Sequence, residues 1–287
     1  MTSFSSMNSI RPSAVAGSFY PAEAEELDAL LDECFLSNPL GPRGAVEPEP
    51  FLTAGLVPHA GPAYSGPCAA HLYARLDRSV GTVILIGVNH RALGHNVALS
   101  PWNLWHTPLG DVRVDEELSC RLEARVDFLR PDEPAHATEH SIEIQLLFLQ
   151  RALGEFRFLP ISLARLSNDQ CAVLGRALAD SVETDAVAGK KTVILASSDL
   201  SHYLSPAETE ELDRIALDRV LALDPPGLLE AVDEHNITMC GVLPTAVMLY
   251  TAKALGLKRA HLLKHCHSGH AEPMRTVVGY ASVAIGL

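Results

Sequence analysis

The chain has 287 residues and a formal net charge of −13 at pH 7, with 47% hydrophobic and 20% charged residues. The hydrophobic fraction is enough for a full core, whereas the negative charge offers no basic patch to a nucleic-acid backbone. The six cysteines are dispersed without a CxxC pair, which argues against a disulfide scaffold and against a zinc ribbon. No apolar run approaches the roughly 20 residues that span a bilayer, and the polar start has no signal-peptide pattern, so we expect a soluble, cytoplasmic protein.

The first fifty residues contain one predicted helix between two irregular segments. Residues 1–10 are Ser-rich and predicted to be a loose tail, and residues 11–287 are predicted to form a single domain. The apolar loop at 11–21 has two interpretations, packing against the core or lining a site. Apolar residues at helical spacing predict a helix over 22–37, and the Pro and Gly residues of 38–50 predict a surface loop.

From residue 51 onward, predicted strands and helices alternate. The strands are the apolar run ending before Pro58, then 82–90, 97–99, 156–163, 191–196, 259–265 and 276–285. The helices are 66–76, 115–125, one with its apolar stripe at Ile142, Leu146, Leu149 and Leu153, then 169–182, 206–223, 225–234 and 243–255. Residues 102–110 are predicted to be a loop whose two tryptophans cover a pocket or pack as a lid. The alternation predicts an α/β fold, with helices on both faces of a mixed, mostly parallel sheet.

A histidine lies at the end of three of the predicted strands or shortly after it. His59 comes after the first strand and His90 ends the second, while the strand at 191–196 leads into a turn with Asp199 and His202. The carboxyl ends of parallel strands form the ligand crevice of an open α/β sheet. The sequence therefore predicts one shared site at this edge. A further histidine, His140, lies three residues before Glu143 near a helix start, so both side chains are expected to face the same way.

The motifs at these positions, read in order, resemble the Memo family. They are VPHAG followed by YSG at 57–66, GVNH at 87–90, EHSIE at 139–143, SSDLSHY at 197–203, CG at 240–241 and VVGYA at 277–281. The match also includes the loop at 11–21 and runs over essentially the whole chain. The resemblance implies a three-layer α/β/α sandwich like that of the class III extradiol dioxygenases, and a bound iron or copper ion.

The resemblance also implies roles for individual residues. It makes His59, His90 and Cys240 the metal ligands, and it places Asp199, His202 and His140 around the open side of the metal. Two imidazoles and a thiolate suit Fe(II) or Cu(I) better than Mg²⁺ or Ca²⁺, although a Cys/His₂ set with an open position is also a zinc pattern. Cys240 precedes a predicted helix, whose N-terminus is expected to lower the pKa of the thiol.

The side chains around the metal suggest how protons would move. An imidazole titrates near neutral pH, so His202 is the candidate general acid or base. Asp199 is expected either to orient His202 or to cap the segment that follows.

We therefore expect a mononuclear iron- or copper-dependent oxidoreductase, dioxygenase-like, with an unknown substrate. The alternatives are a non-catalytic metal- or peptide-binding module that uses the same cleft, and a zinc hydrolase. The expected partner is a small molecule or peptide, with no nucleic acid and no membrane, and the oligomeric state is open.

The sequence departs from the family pattern in two places. Pro62 stands where the family commonly has a tyrosine, which alters one wall of the expected pocket. The run at 265–270, HCHSGH, is richer in ligand types than the usual family sequence there. His265 and His267 would face the same side of a strand. Together with His270 they are either a second metal contact or solvated surface histidines.

Overall fold

A mixed β-sheet runs through the middle of the molecule. The computed structural model describes residues 9–44, 46–49 and 51–286. The strands are β1 (Ile10–Arg11), β2 (Leu52–Val57), β3 (Val80–Val88), β4 (Val97–Leu99), β5 (Leu104–Thr107), β6 (Gly110–Val114), β7 (Arg130–Pro131), β8 (Arg157–Leu163), β9 (Lys191–Ser197), β10 (His202–Leu204), β11 (Arg259–His267) and β12 (Val277–Gly286). The neighbours β8, β3, β9 and β2 are parallel, and β12 pairs with β2 and β11 in antiparallel register. The predicted mixed sheet is confirmed.

Helices cover both faces of this sheet. They are α1 (Ala24–Asp32), α2 (Pro62–Tyr73), α3 (Glu116–Glu123), α4 (Pro134–Ala137), α5 (Glu143–Leu153), α6 (Asn168–Val187), α7 (Pro206–Leu221), α8 (Pro225–Glu234) and α9 (Val242–Ala254). Side chains of α1, α2 and α5 share one apolar core, and those of α3 and α6 to α9 share the other. None of the described helices is long and apolar enough to cross a membrane.

The central strands contribute side chains to both apolar cores because successive side chains of a strand point to opposite faces. In β3, Val83 and Leu85 join the core under α1, α2 and α5, whereas Ile84 and Ile86 join the core on the other side. Such runs without polar alternation are typical of parallel strands that are buried on both faces. The three-layer α/β/α sandwich follows from this double burial and is confirmed.

Two local predictions need correction. The helix expected at 66–76 begins at Pro62, because a proline at the first helical position loses no hydrogen bond. The loop expected at 102–110 contains β5 and its turn into β6. Trp105 is buried, with the Arg11 guanidinium 4.0 Å from its ring centroid, so this tryptophan belongs to the core and is no lid.

The start of the described chain is hydrogen-bonded to the edge of the sheet. Ile10 and Arg11 pair with Leu104 and Trp105 in parallel register. The Ser9 backbone N–H donates to Asn103 Oδ1 over 2.7 Å. Residues 1–8 of the predicted tail lie outside the described residues.

Candidate metal centre

The carboxyl ends of three parallel strands meet at one edge of the sheet. Val57 of β2 lies opposite Ser197 of β9, and Ile86 of β3 lies opposite Ala196 of β9. The residues that follow these strands are therefore neighbours. His59 follows β2 and His90 follows β3, as the sequence predicted for a shared site.

Three imidazoles come together at this edge. His59, His90 and His140 each offer a ring nitrogen, and these nitrogens lie within 4.8 Å of one another. The ring centroids of His59 lie 5.2 Å from His90 and 5.4 Å from His140, and those of His90 and His140 are 4.7 Å apart. Cys240 is not part of this three-histidine group, but its Sγ atom lies 3.3 Å from His59 Nε2.

Hydrogen bonds determine which nitrogen of His59 carries the proton. The Ser197 hydroxyl donates its hydrogen to the Ser141 carbonyl (2.6 Å) and accepts one from Gln145 Nε2 (2.7 Å). Ser197 Oγ has no second hydrogen, so it must also accept from His59 Nδ1, which lies 2.8 Å away. His59 Nε2 therefore carries the lone pair, which faces the Cys240 sulfur 3.3 Å away, and this is the tautomer that a metal ligand requires.

A single carboxylate, that of Glu139, fixes the position of the Nδ1 proton on the other two histidines. Glu139 Oε1 lies 2.9 Å from His90 Nδ1 and 3.1 Å from His140 Nδ1. Burial opposes ionisation of Glu139, but the hydrogen bonds from His140 and His90 hold its pKa well below its usual range. An ionised carboxylate only accepts, so both Nδ1 atoms carry protons, and Nε2 is the nitrogen that each ring can offer to a cation. Histidines that ligate a metal usually donate their other ring N–H to a carboxylate in this way.

Burial sets the charge of the innermost groups. It lowers the pKa of His59, and the neighbouring His140 and His90 lower it further, so this imidazole is neutral at physiological pH. Burial also raises the pKa of the Cys240 thiol, and the Asp199 carboxylate adds to that increase. The expectation that the helix N-terminus lowers the thiol pKa is thus wrong for the metal-free protein. The neutral imidazole of His59 beside a protonated thiol fits a bound cation, because ligation itself removes the thiol proton.

Asp199 holds the turn that carries His59. Its Oδ1 atom accepts the backbone N–H groups of His59 (2.8 Å) and Ala60 (3.3 Å), and burial raises its pKa. The described hydrogen bonds of its side chain go to this turn, and none goes to the imidazole of His202. His202 is held elsewhere, with Nδ1 2.9 Å from the carbonyl oxygen of Thr238. A carbonyl only accepts, so His202 Nδ1 carries a proton, and Nε2 is the ring nitrogen left for a substrate.

The loop at 11–21 both packs against the core and contacts the histidines. Glu143 is fully buried and forms an ion pair with Arg11, and it accepts the Ala14 N–H (2.8 Å) and the Tyr20 hydroxyl (2.6 Å). The ring of Phe19 lies 4.7 Å from that of His140.

His140 and Glu143 do not act together, contrary to expectation. Helix α5 begins at Glu143, so His140 precedes it and the helical spacing does not apply. The Glu143 side chain bonds the loop at 11–21, while His140 bonds Glu139.

The histidines of the run at 265–270 lie against α7. His265 Nε2 is 2.9 Å from Asp213 Oδ2, and His267 Nε2 is 3.7 Å from Glu210 Oε1. Both side chains therefore face the same helix, as predicted for alternate residues of a strand. His270 lies in the short 3₁₀ turn after β11, with its ring centroid 3.8 Å from that of His267.

Sequence reasoning missed three residues that support the imidazoles. Glu139 and Ser197 stand inside the quoted motifs, but no spacing indicates that they bind histidine Nδ1 atoms. Gln145 lies in the apolar stretch of α5, and its polar side chain there was the only signal. It donates to Ser197 and accepts the Tyr73 hydroxyl (2.6 Å), deep between α2 and the sheet.

Comparison with known proteins gives one consistent result. A family model described as "Memo-like protein" matches residues 11–284. A MEMO1 family protein of Methanopyrus kandleri is 41% identical over 280 residues, which cover 95% of this chain and 98% of that protein. A MEMO1 family protein of Ignicoccus hospitalis is 41% identical over 286 residues, which cover 97% and 99%. An uncharacterized protein from Escherichia coli K12 has a similar structure, with a TM-score of 0.52, 13% identity, and coverage of 82% of this chain and 100% of that one. At that identity the likeness is one of fold alone.

Proposed function

Because this chain belongs to the Memo-like protein family, we propose that it is a mononuclear iron- or copper-dependent oxidoreductase acting on a small molecule or peptide. The observation that carries the proposal is the convergence of three imidazoles, each with its Nδ1 proton held by an acceptor, beside one cysteine. All three lone pairs are thereby prepared for a cation before it arrives.

His59, His90 and Cys240 are the proposed ligands. The sulfur of Cys240 lies 3.3 Å from His59 Nε2, and two donor atoms at this distance can bind the same ion. A soft thiolate with two imidazoles favours Fe(II) or Cu(I) over harder ions. When bound, such an ion would supply electrons to O₂ or a peroxide. His140 stands beside the ligands and is held by the same carboxylate as His90.

His202 is the proposed acid or base. The Thr238 carbonyl holds its Nδ1 proton, so Nε2 is left to take a proton from a bound substrate. Burial is the main cause of the pKa shifts of His59 and Asp199, and the nearby His202 adds to the lowering at His59 and opposes the rise at Asp199. Phe19 contacts His140 and is 40% exposed, so it offers an apolar surface to a ligand at the rim.

A zinc hydrolase is the second candidate, and the three-histidine group favours it. Three imidazoles with one open position are a common catalytic zinc site. In that case His140 is the third ligand and Cys240 stays protonated beside it.

Metal loading under anaerobic conditions separates these functions. Wild-type protein loaded with Fe(II) or Cu(I) is expected to consume O₂ or hydrogen peroxide, measured with an electrode. Cys240→Ser should abolish that reaction while zinc uptake remains, and Cys120→Ser, at an exposed thiol on α3, should behave as wild type. A protein that holds only zinc, is inert to O₂ with iron or copper supplied and hydrolyses an ester or amide would contradict the redox proposal.

The role of His202 separates an enzyme from a binding module. His202→Ala is expected to keep the bound metal and to lose turnover, because its imidazole is proposed to move a proton and not to ligate. Equal metal loss in His202→Ala and His59→Ala would make His202 a ligand. Undiminished turnover in His202→Ala would remove its assigned role as acid or base.

A further inference from the structure

Helix α7 presents two carboxylates to two histidines of β11. Asp213 and His265 form a close pair of 2.9 Å, and Asp213 is fully buried. One helical turn earlier, Glu210 Oε1 lies 3.7 Å from His267 Nε2, which is too long for a hydrogen bond. The first pair is therefore complete, whereas the second leaves a gap between a carboxylate and an imidazole.

The side chain of His267 has an unpaired polar atom. His267 is 7% exposed, and its Nδ1 atom is buried without a hydrogen-bond partner among the described residues. Buried polar atoms are paired in most proteins, and an unpaired one often marks a bound water or ion. Burial lowers the pKa of His267 and the adjacent His270 lowers it further, so this ring is neutral and has a lone pair to offer.

His270 completes a group of three donors. Ring nitrogens of His267 and His270 and a carboxylate oxygen of Glu210 lie within 4.8 Å of one another. The ligands of a tetrahedral zinc ion are about 3.4 Å apart at bond lengths of about 2.0–2.1 Å, so the 3.7 Å between Glu210 and His267 is close to that requirement. Glu210 and His270 are exposed, so small movements of their side chains meet little resistance.

One hydrogen bond must be given up. His270 Nδ1 accepts the backbone N–H of His267 over 3.2 Å, so in the metal-free protein its Nε2 carries the proton. Ligation requires the ring to rotate or to exchange this bond for a metal bond. The loss of one such hydrogen bond costs only about 1 kcal/mol, far less than a zinc site contributes.

We propose that Glu210, His267 and His270 form a second metal site, which binds a divalent transition ion and in particular Zn²⁺. Two imidazoles and a carboxylate are a common zinc set, with the remaining position taken by water. This set lacks the sulfur of the first centre, so the two sites differ in the ions they prefer. The ion joins α7 to the 3₁₀ turn after β11. The inference does not depend on the reaction proposed at the first centre.

Zinc stoichiometry tests this site. Zn²⁺ alone is titrated into apo protein against a chromogenic chelator, at pH 7.5. Wild-type protein is expected to bind two ions and His270→Ala one. Removal of a direct ligand should weaken the second site by more than the roughly 10–100-fold that a supporting residue costs. His261→Ala, which removes an exposed histidine of the same strand, should still bind two.

The double variant His59→Ala/His90→Ala isolates the second site. It is expected to hold one Zn²⁺ with nitrogen and oxygen ligands and no sulfur in its X-ray absorption spectrum, and adding Glu210→Gln should weaken binding more than tenfold. Zinc uptake that is the same in wild-type protein and in His270→Ala would overturn the proposal. Because His270 is exposed, the wild-type and His270→Ala comparison decides the question even if the double variant fails to fold.

Discussion

At the scale of single residues, one carboxylate organises two of the three histidines of the candidate metal site. Glu139 accepts the Nδ1 protons of His90 and His140 and the His90 backbone N–H, over 2.8 to 3.1 Å. Its negative charge also raises the basicity of both rings, which strengthens a bond to a cation at Nε2.

Glu139→Gln is expected to weaken metal binding at the first centre by about 10–100-fold, since the charge that supports two ligands is lost. The measurement is competition with a chelator for Fe(II) under anaerobic conditions. Glu133→Gln, at an exposed position on the same segment, is the matched control and should keep the affinity of wild type. An equal affinity in both variants would show that Glu139 does not support the metal.

A second residue-scale prediction concerns pH. His136 is fully buried, with Nε2 3.1 Å from the Ala98 carbonyl, and burial together with the nearby Arg11 lowers its pKa to about 4. In the unfolded chain the pKa is about 6.5. Between these values the unfolded chain binds a proton that the folded protein does not, so stability falls as pH falls.

His136→Gln is expected to remove this dependence while keeping a donor for the Ala98 carbonyl. The wild-type protein should lose about 2 kcal/mol of unfolding free energy from this group between pH 7 and pH 5, measured by urea denaturation. His261→Gln, at an exposed histidine, should show the wild-type slope. A slope in His136→Gln as steep as in the wild type would refute the assignment.

At the scale of elements, the loop at 11–21 is fastened to α5 by one buried ion pair. Arg11 donates to Glu143 and to the carbonyls of His136 (2.9 Å) and Glu139 (2.6 Å). Through these bonds the loop fixes both the start of α5 and the segment that carries His140. Phe19, on the same loop, is thereby held against His140.

Arg11→Met is expected to destabilise the protein by about 3–5 kcal/mol, because it leaves the Glu143 carboxylate buried without its partner. Urea denaturation measures the change. Arg151→Met breaks the exposed ion pair with Asp32 and should cost at most about 1 kcal/mol. Equal costs for the two variants would mean that the loop is not held by this pair.

At the scale of the whole molecule, Gly55 lies where three strands and a helix meet. A Cβ atom there would lie 2.3 Å from Leu72 Cδ1 of α2 and 2.9 Å from the Val283 carbonyl of β12. The sheet and the α2 layer can pack this closely only because the side chain is absent. The layers that position the candidate metal site thus depend on a glycine in the strand that His59 follows.

Gly55→Ala is expected to cost at least the 1–3 kcal/mol typical of overpacking, because a backbone carbonyl cannot move aside. Tryptophan fluorescence and far-ultraviolet circular dichroism should report the same shift in urea midpoint if residues 11–287 are one domain. Gly81→Ala, in β3 with nothing within 4 Å of the added methyl, should change stability by less than about 0.5 kcal/mol. Separate midpoints for the two probes would contradict the single domain.

Local patterns in the sequence determined the class of fold and one edge of the site. Apolar runs such as 82–88 bury on both faces wherever they lie in a parallel sheet, so they indicate strands without knowledge of their partners. His59 and His90 follow two such runs directly. Because parallel strands end at the same edge, their proximity followed from sequence alone.

Only the tertiary structure decided which groups support these histidines and how each is protonated. Glu139 and Gln145 reach their partners across 49 and 52 residues of chain, and Arg11 reaches Glu143 across 132. The spacing of residues along the chain does not predict such pairs, because the distance between the two side chains depends on how whole layers pack. The same applies to Cys240, whose thiol pKa follows burial and the nearby Asp199 more than the helix it precedes. Burial is a property of the assembled layers, and it therefore appears only when the chain has folded.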